Sequence, residues 1–292
     1  MLRKLLKYDF KSVWRVWWIA AIITLGSSVI GSFALRFFLS LTTAPGVAAE
    51  SPEITFAYIM SLILFLFSLL AIVASVFVME ILVYWRYYKH FFSDEGYLTF
   101  TLPVSRRDLL LSKTLNALIW EVAHILLLAV CLFIFLLVAP PVGDSGGLLN
   151  IDVVVSMIDG VAQAWEAIGG WLIVYVLEAI LILSGAFVFS ASLIHFCITI
   201  GSVVAKKHKL IAAIGIYYLV NMLLTSVFQI VGLFGIGSFI MGFGYKLEAI
   251  GQGAGMPAIA LLLLVIALMV VSGALIMTFM TLGKLERKLN LA

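Results

Sequence analysis

Residues 55–85, TFAYIMSLILFLFSLLAIVASVFVMEILVYW, decide the fold class, because only one of them, Glu80, is charged. A helix needs about 20 mostly apolar residues to cross the hydrocarbon core of a membrane. A strand at the same depth would leave backbone polar groups unpaired in lipid. The stretch therefore predicts a transmembrane helix.

The composition extends this prediction to the whole chain. Of the 292 residues, 64% are hydrophobic and 11% are charged, whereas soluble domains carry about 45–50% apolar and about 25% charged residues. This excludes a soluble enzyme and a disordered chain. A secreted disulfide scaffold is excluded as well, since the two cysteines, Cys131 and Cys197, lie inside apolar runs. We expect an all-α integral membrane protein with a single transmembrane domain.

Five further stretches have the length and apolar character of a membrane span. They cover residues 16–35, 113–139, 171–205, 210–232 and 257–282. The sequence therefore predicts six transmembrane helices. Residues 148–168 are predicted to form an outer amphipathic segment that leads into the fourth span.

The distribution of Lys and Arg predicts the orientation, because cytoplasmic loops hold the excess of positive charge. Sixteen of the 18 basic residues fall at the N-terminus, in the second and fourth loops and in the C-terminal tail. The other two, Arg36 and Lys246, flank segments whose remaining charges are acidic. Both termini are therefore predicted to be cytoplasmic, in the cell membrane. Charge sorted in this way forms no basic face for nucleic acid.

The first 17 residues are amphipathic at helical spacing. One face carries Arg3, Lys4, Lys7, Lys11 and Arg15, and the other carries Leu2, Leu5, Leu6, Phe10, Val13, Trp14 and Trp17. We expect residues 1–15 to form an interfacial helix in the membrane plane, with its basic side on anionic headgroups, before the chain turns into the first span. A simple topology anchor is the alternative, but it does not explain the separation of the two faces.

The most informative loop is predicted at residues 86–113, which include most of the aromatic and charged run YWRYYKHFFSDEGYLTF at 84–100. Gly96 and Pro103 are predicted to interrupt the helix, and Ser105 followed by Asp108 forms a capping box that begins the next one. The second helix should therefore extend into the cytoplasm, fold over between residues 91 and 104, and return. Exposed aromatic residues among charges indicate a docking surface for a cytoplasmic partner. An interfacial aromatic belt is the alternative interpretation for residues 84–88.

Within this loop the chain has Glu95-Gly96, then Leu102-Pro103-Val104-Ser105-Arg106, a leucine run and Lys113. This order resembles the loop of type-2 ATP-binding-cassette (ABC) export permeases. The N-terminal run LLKYDFK at residues 5–11 resembles the entry helix of that family. Six spans with both ends inside fit the same architecture.

The resemblance implies that the loop is a coupling element that sits in a groove of a separate ATPase subunit. The residues implied to contact the ATPase are Phe91, Asp94, Glu95 and Gly96. The residues implied to shape the return are Pro103, Ser105, Arg106 and Arg107. ATP and magnesium would be bound by the partner and no cofactor by this chain, which lacks a G-x-x-x-x-G-K-[ST] motif. A second permease copy or a paralogue would complete a dimer.

Several ionisable residues fall inside predicted spans, where charge is costly and a functional role is the first hypothesis. They are Glu80, Glu121, His124, Glu178 and His195. Glu121 and His124 are three residues apart and share a helix face. A proton relay or a metal site is one interpretation, and pairing across helices or an internal wet cleft is the other. The sequence contains no second Glu-x-x-His and no His-Glu-x-x-His, so no metal is expected.

Two glycine-containing patterns add expectations about packing. Residues 233–256 are glycine-rich, and each glycine costs a helix about 1 kcal/mol relative to alanine, so a broken, partly re-entrant outer element is predicted there. Ser27 with Gly31, and Ser28 with Ser32, have small-xxx-small spacing. That spacing fits either a dimer seam or packing within one chain.

The leading functional hypothesis is the membrane-spanning subunit of an ATP-driven exporter for a hydrophobic or amphipathic solute, such as a peptide, a drug or a lipid-like molecule. A secondary transporter driven by protons through Glu121, His124 and Glu178 is the first alternative. A membrane sensor or scaffold without transport activity is the second.

Overall fold

The computed structural model describes residues 2–43, 52–138, 149, 151–205, 207–230 and 255–287. These residues form eight helices and no strand. In chain order the helices are α1 (Leu2–Thr43), α2 (Pro52–Phe92), α3 (Glu95–Thr101), α4 (Arg106–Val138), α5 (Ile151–Ile168), α6 (Trp171–Val204), α7 (Lys209–Ile230) and α8 (Gly255–Arg287).

Within those ranges six helices, α1, α2, α4, α6, α7 and α8, are long enough and apolar enough to cross a membrane. Each overlaps one of the six spans that the sequence predicts. The chain is therefore an all-α, multi-pass membrane protein. The glycine-rich element predicted at 233–256 lies outside the described residues, except for Gly255 and Met256, which begin α8.

The N-terminal amphipathic segment differs from the prediction in one respect. The structure has no turn before the first span, because α1 runs without interruption over 42 residues, about 63 Å at 1.5 Å per residue. The two faces are present as expected, with the five basic side chains exposed. The apolar side packs on protein rather than on lipid alone: Val13 is fully buried, and the Phe10 ring stacks on Trp120 of α4 at 4.7 Å.

The predicted amphipathic segment before α6 is confirmed as a helix. α5 has no buried residue along its length. It is separated from α6 by Gly169 and Gly170. Gly169 has a φ of 54°, a left-handed conformation that glycine adopts without the steric cost of a Cβ atom.

The helices divide into two compact units. The first unit holds residues 6–83 and 119–167, and small and hydroxyl side chains form its helix contacts. Ser28 donates a hydrogen bond to the Cys131 carbonyl at 3.1 Å. A Cβ atom added at Gly31 would lie 1.9 Å from the Ser68 hydroxyl. The small residues of α1 therefore support packing within one chain, the second of the two interpretations left open by the sequence.

The second unit holds residues 1–5, 84–118 and 168–292. Within it α6 packs against both α7 and α8. Ser192 and Thr278 share a hydrogen bond of 3.0 Å between α6 and α8. The contact between α6 and α7 is closest at Gly201, where an added Cβ atom would lie 2.5 Å from the Ala213 backbone nitrogen. Only glycine allows these two helices to approach so closely.

We expect Gly201→Ala to destabilise the protein by separating α6 from α7, because the clash is with backbone atoms that no side-chain rotation relieves. An overpacked site costs about 1–3 kcal/mol, so the melting temperature in detergent should fall by several degrees.

The matched control is Gly215→Ala on α7, where an added Cβ atom meets no atom of the described residues within 4 Å. This variant should be neutral or slightly more stable, because alanine is the better helix former by about 0.8–1 kcal/mol. Equal melting temperatures for the two variants would contradict the close contact at Gly201.

Candidate functional site around α3

The short helix α3 lies between two breaks in the chain. The first break is at Ser93 and Asp94, between the end of α2 and the start of α3. The second is at residues 102–105, where Leu102 is extended with a ψ of 140°, as expected for a residue that precedes proline. The Ser105 hydroxyl then accepts a hydrogen bond of 3.1 Å from the Asp108 backbone N–H. This confirms the predicted N-cap of α4, and the folded-over loop is present where the sequence predicts it.

Gly96 has a different role from the predicted one. It does not interrupt a helix but lies in the first turn of α3, where it is buried. An added Cβ atom would lie 2.7 Å from the Phe91 carbonyl oxygen. Gly96 therefore allows α3 to approach the end of α2 closely.

Phe91 is also buried, with no exposed surface. Its ring packs against Tyr87 at 4.9 Å, Phe92 at 6.2 Å and Phe100 of α3 at 5.5 Å. Neither residue presents a surface to another protein in this structure, and the implied contact of Phe91 and Gly96 with an ATPase stays a prediction. Both residues form the contact between α3 and the end of α2, which defines the inner side of α3.

The other face of α3 is exposed. The side chains of Tyr97 and Leu98 have relative exposures of 66% and 67%, and that of Leu102 has 46%. Four further residues near α3 in the sequence are exposed as well, namely Asp94, Pro103, Ser105 and Arg107. The sequence interpretation missed the three apolar residues. Gly96 and Phe100, four residues apart, line the inner side of the helix, and Tyr97 and Leu98 lie away from them.

Charged residues join α3 to α2 and α4. Lys89 forms a 2.7 Å ion pair with Glu95. This hydrogen bond, with the positive charges of Lys89, His90 and Arg86, holds the pKa of the Glu95 carboxyl below its usual value. Glu95 also lies 3.8 Å from His90 Nε2, and the other ring nitrogen of His90 is 2.9 Å from Lys113 Nζ.

Two long cations attach the same region to α7 and α8. The Arg106 guanidinium donates a hydrogen bond to the backbone carbonyl of Leu285 in the last turn of α8, and it lies 5.6 Å from the centre of the Phe100 ring. Lys209, at the start of α7, donates to the Phe92 carbonyl at 3.3 Å. Such donors satisfy carbonyls at helix ends that have no partner in their own helix.

A buried polar cluster lies next to this region and contains His195 of α6. The His195 ring packs 4.0 Å from Tyr87 and 5.6 Å from Tyr84. Its Nδ1 atom is 3.4 Å from the Thr114 hydroxyl, and its Nε2 atom has no hydrogen-bond partner among the described residues. The Tyr87 and Thr199 hydroxyls share a 2.8 Å hydrogen bond. His195 thus contacts Tyr87, whose ring packs in turn against Phe91.

The other predicted intramembrane residues are not part of this cluster. Glu80, Glu121 and His124 belong to the first unit, where His124 Nε2 lies 3.4 Å from the Ser75 hydroxyl. Glu178 belongs to the second unit, on α6. Within the described part of the chain, no three His, Cys, Asp or Glu side chains lie close enough together to hold a metal ion.

Comparison with known proteins identified no relative of this chain. No family model matches the chain, no curated protein matches it, and no solved structure matches it. The function is therefore argued from the geometry around α3.

We expect Phe91→Ala to destabilise the second unit strongly, because it leaves a cavity between α2 and α3. Removing a buried Phe side chain costs about 3–5 kcal/mol. Thermal unfolding in detergent measures the effect. Phe77→Ala, on the same helix and 63% exposed, is the control and should change the melting temperature little. Similar losses in the two variants would contradict the burial of Phe91.

The Lys89–Glu95 pair should respond to acid. Because folding lowers the pKa of Glu95, the stabilisation from the pair is complete above the ordinary carboxyl pKa, about 4.3, and is lost as the pH falls through the lowered value. The effect should be small because the pair is exposed to solvent. Amide-exchange rates of α3, measured as the pH is lowered, report this loss of stabilisation. In Glu95→Gln the acid-dependent loss should be absent. If the same acid-dependent change in exchange persists in Glu95→Gln, it does not arise from the Lys89–Glu95 pair.

Proposed function

We propose that this chain is the membrane-spanning permease subunit of an ABC exporter and that a separate ATPase subunit docks on α3. One observation carries the proposal. A seven-residue helix between two spans has exposed apolar residues, and its other side contacts the end of α2 and the Arg106 side chain at the start of α4. A docked partner that moves α3 would therefore move those ends with it.

The exposed face has the composition of a protein interface. Tyr97, Leu98 and Leu102 form its apolar centre, and aromatic residues at such centres contribute much of the binding energy. Asp94 and Arg107 are exposed at its edge and supply the polar rim. By the distribution of Lys and Arg, this face lies on the cytoplasmic side, where an ATPase has access to ATP.

The attachment of α3 is suited to transmit force. Interlocked aromatic rings and backbone contacts deform little, because packed protein interiors have low compressibility. Phe91 and Gly96 link α3 to α2, and Arg106 links the start of α4 to the end of α8. Closure of the ATPase would thus be converted into movement of the spans, with a second copy or a paralogue completing the transporter. The solute class we propose is hydrophobic or amphipathic.

The test is to co-express the chain with candidate cytoplasmic ATPases and to measure co-purification and vanadate-sensitive ATP hydrolysis. The double variant Tyr97→Ala/Leu98→Ala should weaken ATPase association by at least about tenfold, which corresponds to about 1.4 kcal/mol. Its melting temperature should stay near that of the wild type, because both side chains are exposed.

The chain offers a matched control for this variant. Tyr218 and Leu219 are an adjacent Tyr-Leu pair on α7 with exposures of 70% and 60%. Tyr218→Ala/Leu219→Ala should leave ATPase association unchanged. Equal loss of binding in the two double variants, or no association of the wild type with any candidate, would overturn the docking proposal.

The same preparation distinguishes the alternatives. A proton-driven secondary transporter that uses Glu121, His124 and Glu178 predicts solute movement that survives ATP depletion and collapses when the proton gradient is dissipated. The structure has Glu121 and His124 on α4 and Glu178 on α6, in different units. A sensor or scaffold predicts no solute movement under either condition.

A further inference from the structure

The helix α5 carries all of its polar side chains on one narrow stripe. They lie at positions i, i+4, i+7, i+11 and i+14, which is the spacing of a single line along a helix. Every other residue of α5 is non-polar, so an apolar arc covers the rest of its circumference. The polar stripe consists of Asp152, Ser156, Asp159, Gln163 and Glu166.

The rest of the chain leaves this apolar arc uncovered. No residue of α5 is buried, and the side chains of Ile158, Val161 and Trp165 have relative exposures of 63%, 63% and 50%. A Cβ atom added at Gly160 would meet no atom of the described residues within 4 Å. The amphipathic start of α1 is different, because its apolar face buries Val13 completely. An exposed apolar surface of this extent indicates a binding site for something outside the chain.

The position of α5 in the sequence indicates what covers it. α5 ends at Ile168 and the span α6 begins at Trp171, so the chain between them can extend over at most about 11 Å. The C-terminal end of α5 is therefore held close to a membrane surface. α5 is not one of the six helices that could cross the membrane, and three carboxyl groups on its stripe oppose burial in the hydrocarbon core.

The width of the apolar arc favours lipid over another protein. One partner helix, such as α5 of a second copy, covers only a narrow seam of positions spaced three and four residues apart. The acyl region at a bilayer surface covers the whole arc and leaves the polar stripe in water. Trp165 has the amphipathic ring that is typical of this depth. Because α5 contains no Lys or Arg, it offers no cation to lipid phosphates, and the contact is with the acyl chains.

We propose that α5 is a lipid-binding interfacial helix that lies along the bilayer surface, with its apolar arc in the acyl region and its polar stripe in water. The distribution of Lys and Arg predicts that this is the outer surface. The binding involves neither an ATPase nor a solute, so it is independent of the proposed function.

Spin labels on the full chain in phosphatidylcholine nanodiscs test this orientation. Labels at Ser156→Cys and Gln163→Cys report on the polar stripe, and labels at Ile158→Cys and Trp165→Cys report on the apolar arc. Electron paramagnetic resonance measures how often each label collides with oxygen, which concentrates among acyl chains, and with a water-soluble nickel chelate. The oxygen-to-nickel ratio should be several-fold higher on the apolar arc, because a polar complex is excluded from the acyl region.

The control for a label in lipid is Leu177→Cys on the span α6, where the leucine is 61% exposed. Its oxygen-to-nickel ratio should resemble that of the apolar arc. Because Cys131 and Cys197 are buried, the unsubstituted chain measures the background labelling. Equal ratios at the four positions of α5 would overturn the proposal. An apolar arc that neither oxygen nor the nickel chelate reaches would also overturn it, because a protein surface would then cover the arc.

A matched pair of substitutions tests whether lipid holds the helix. Ile158→Asp adds a carboxylate to the apolar arc, and Ser156→Asp adds the same group to the polar stripe. Both positions are exposed, so neither change disturbs packing within the chain. With the label at position 165, Ile158→Asp should lower the oxygen-to-nickel ratio, because a carboxylate in the acyl region is costly. Ser156→Asp should leave the ratio unchanged, and equal ratios in the two variants would overturn the proposal.

Discussion

The contact between α3 and the buried ring of Phe91 is the constraint on which the rest of the site depends. The ring is enclosed by Tyr87, Phe92 and Phe100, and Gly96 brings the α3 backbone against the Phe91 carbonyl. Because this inner face is fixed, Tyr97 and Leu98 must point outward. The exposure of these apolar side chains is thus a consequence of how the inner face is packed.

Two kinds of interaction hold α3, and they respond differently to conditions. The aromatic contacts depend on packing and change little with salt or pH. The charged contacts through Lys89, His90 and Glu95 are partly exposed, so they are weakened by screening and altered by protonation. The aromatic contacts therefore keep α3 on α2 under conditions that weaken the charged ones.

The sequence was sufficient for the features that depend on local patterns. Apolar runs predicted the six spans, and Ser105 with Asp108 predicted where α4 begins. The roles of Phe91 and Gly96 were not predictable in this way, because burial depends on helices distant in sequence. α3 has only seven residues. It therefore has too few turns for the spacing of apolar residues to show which face is buried. The uninterrupted course of α1 was missed for a similar reason, since its apolar side packs on Trp120, more than 100 residues away.

The most direct test of the central claim is photo-crosslinking in intact cells from position 97, with p-benzoylphenylalanine in place of Tyr97. The account predicts a crosslink to a separate protein that carries a G-x-x-x-x-G-K-[ST] nucleotide-binding motif. Crosslinks from position 97 only to lipid, or only to this chain itself, would mean that the exposed face of α3 is no docking surface and would contradict the account.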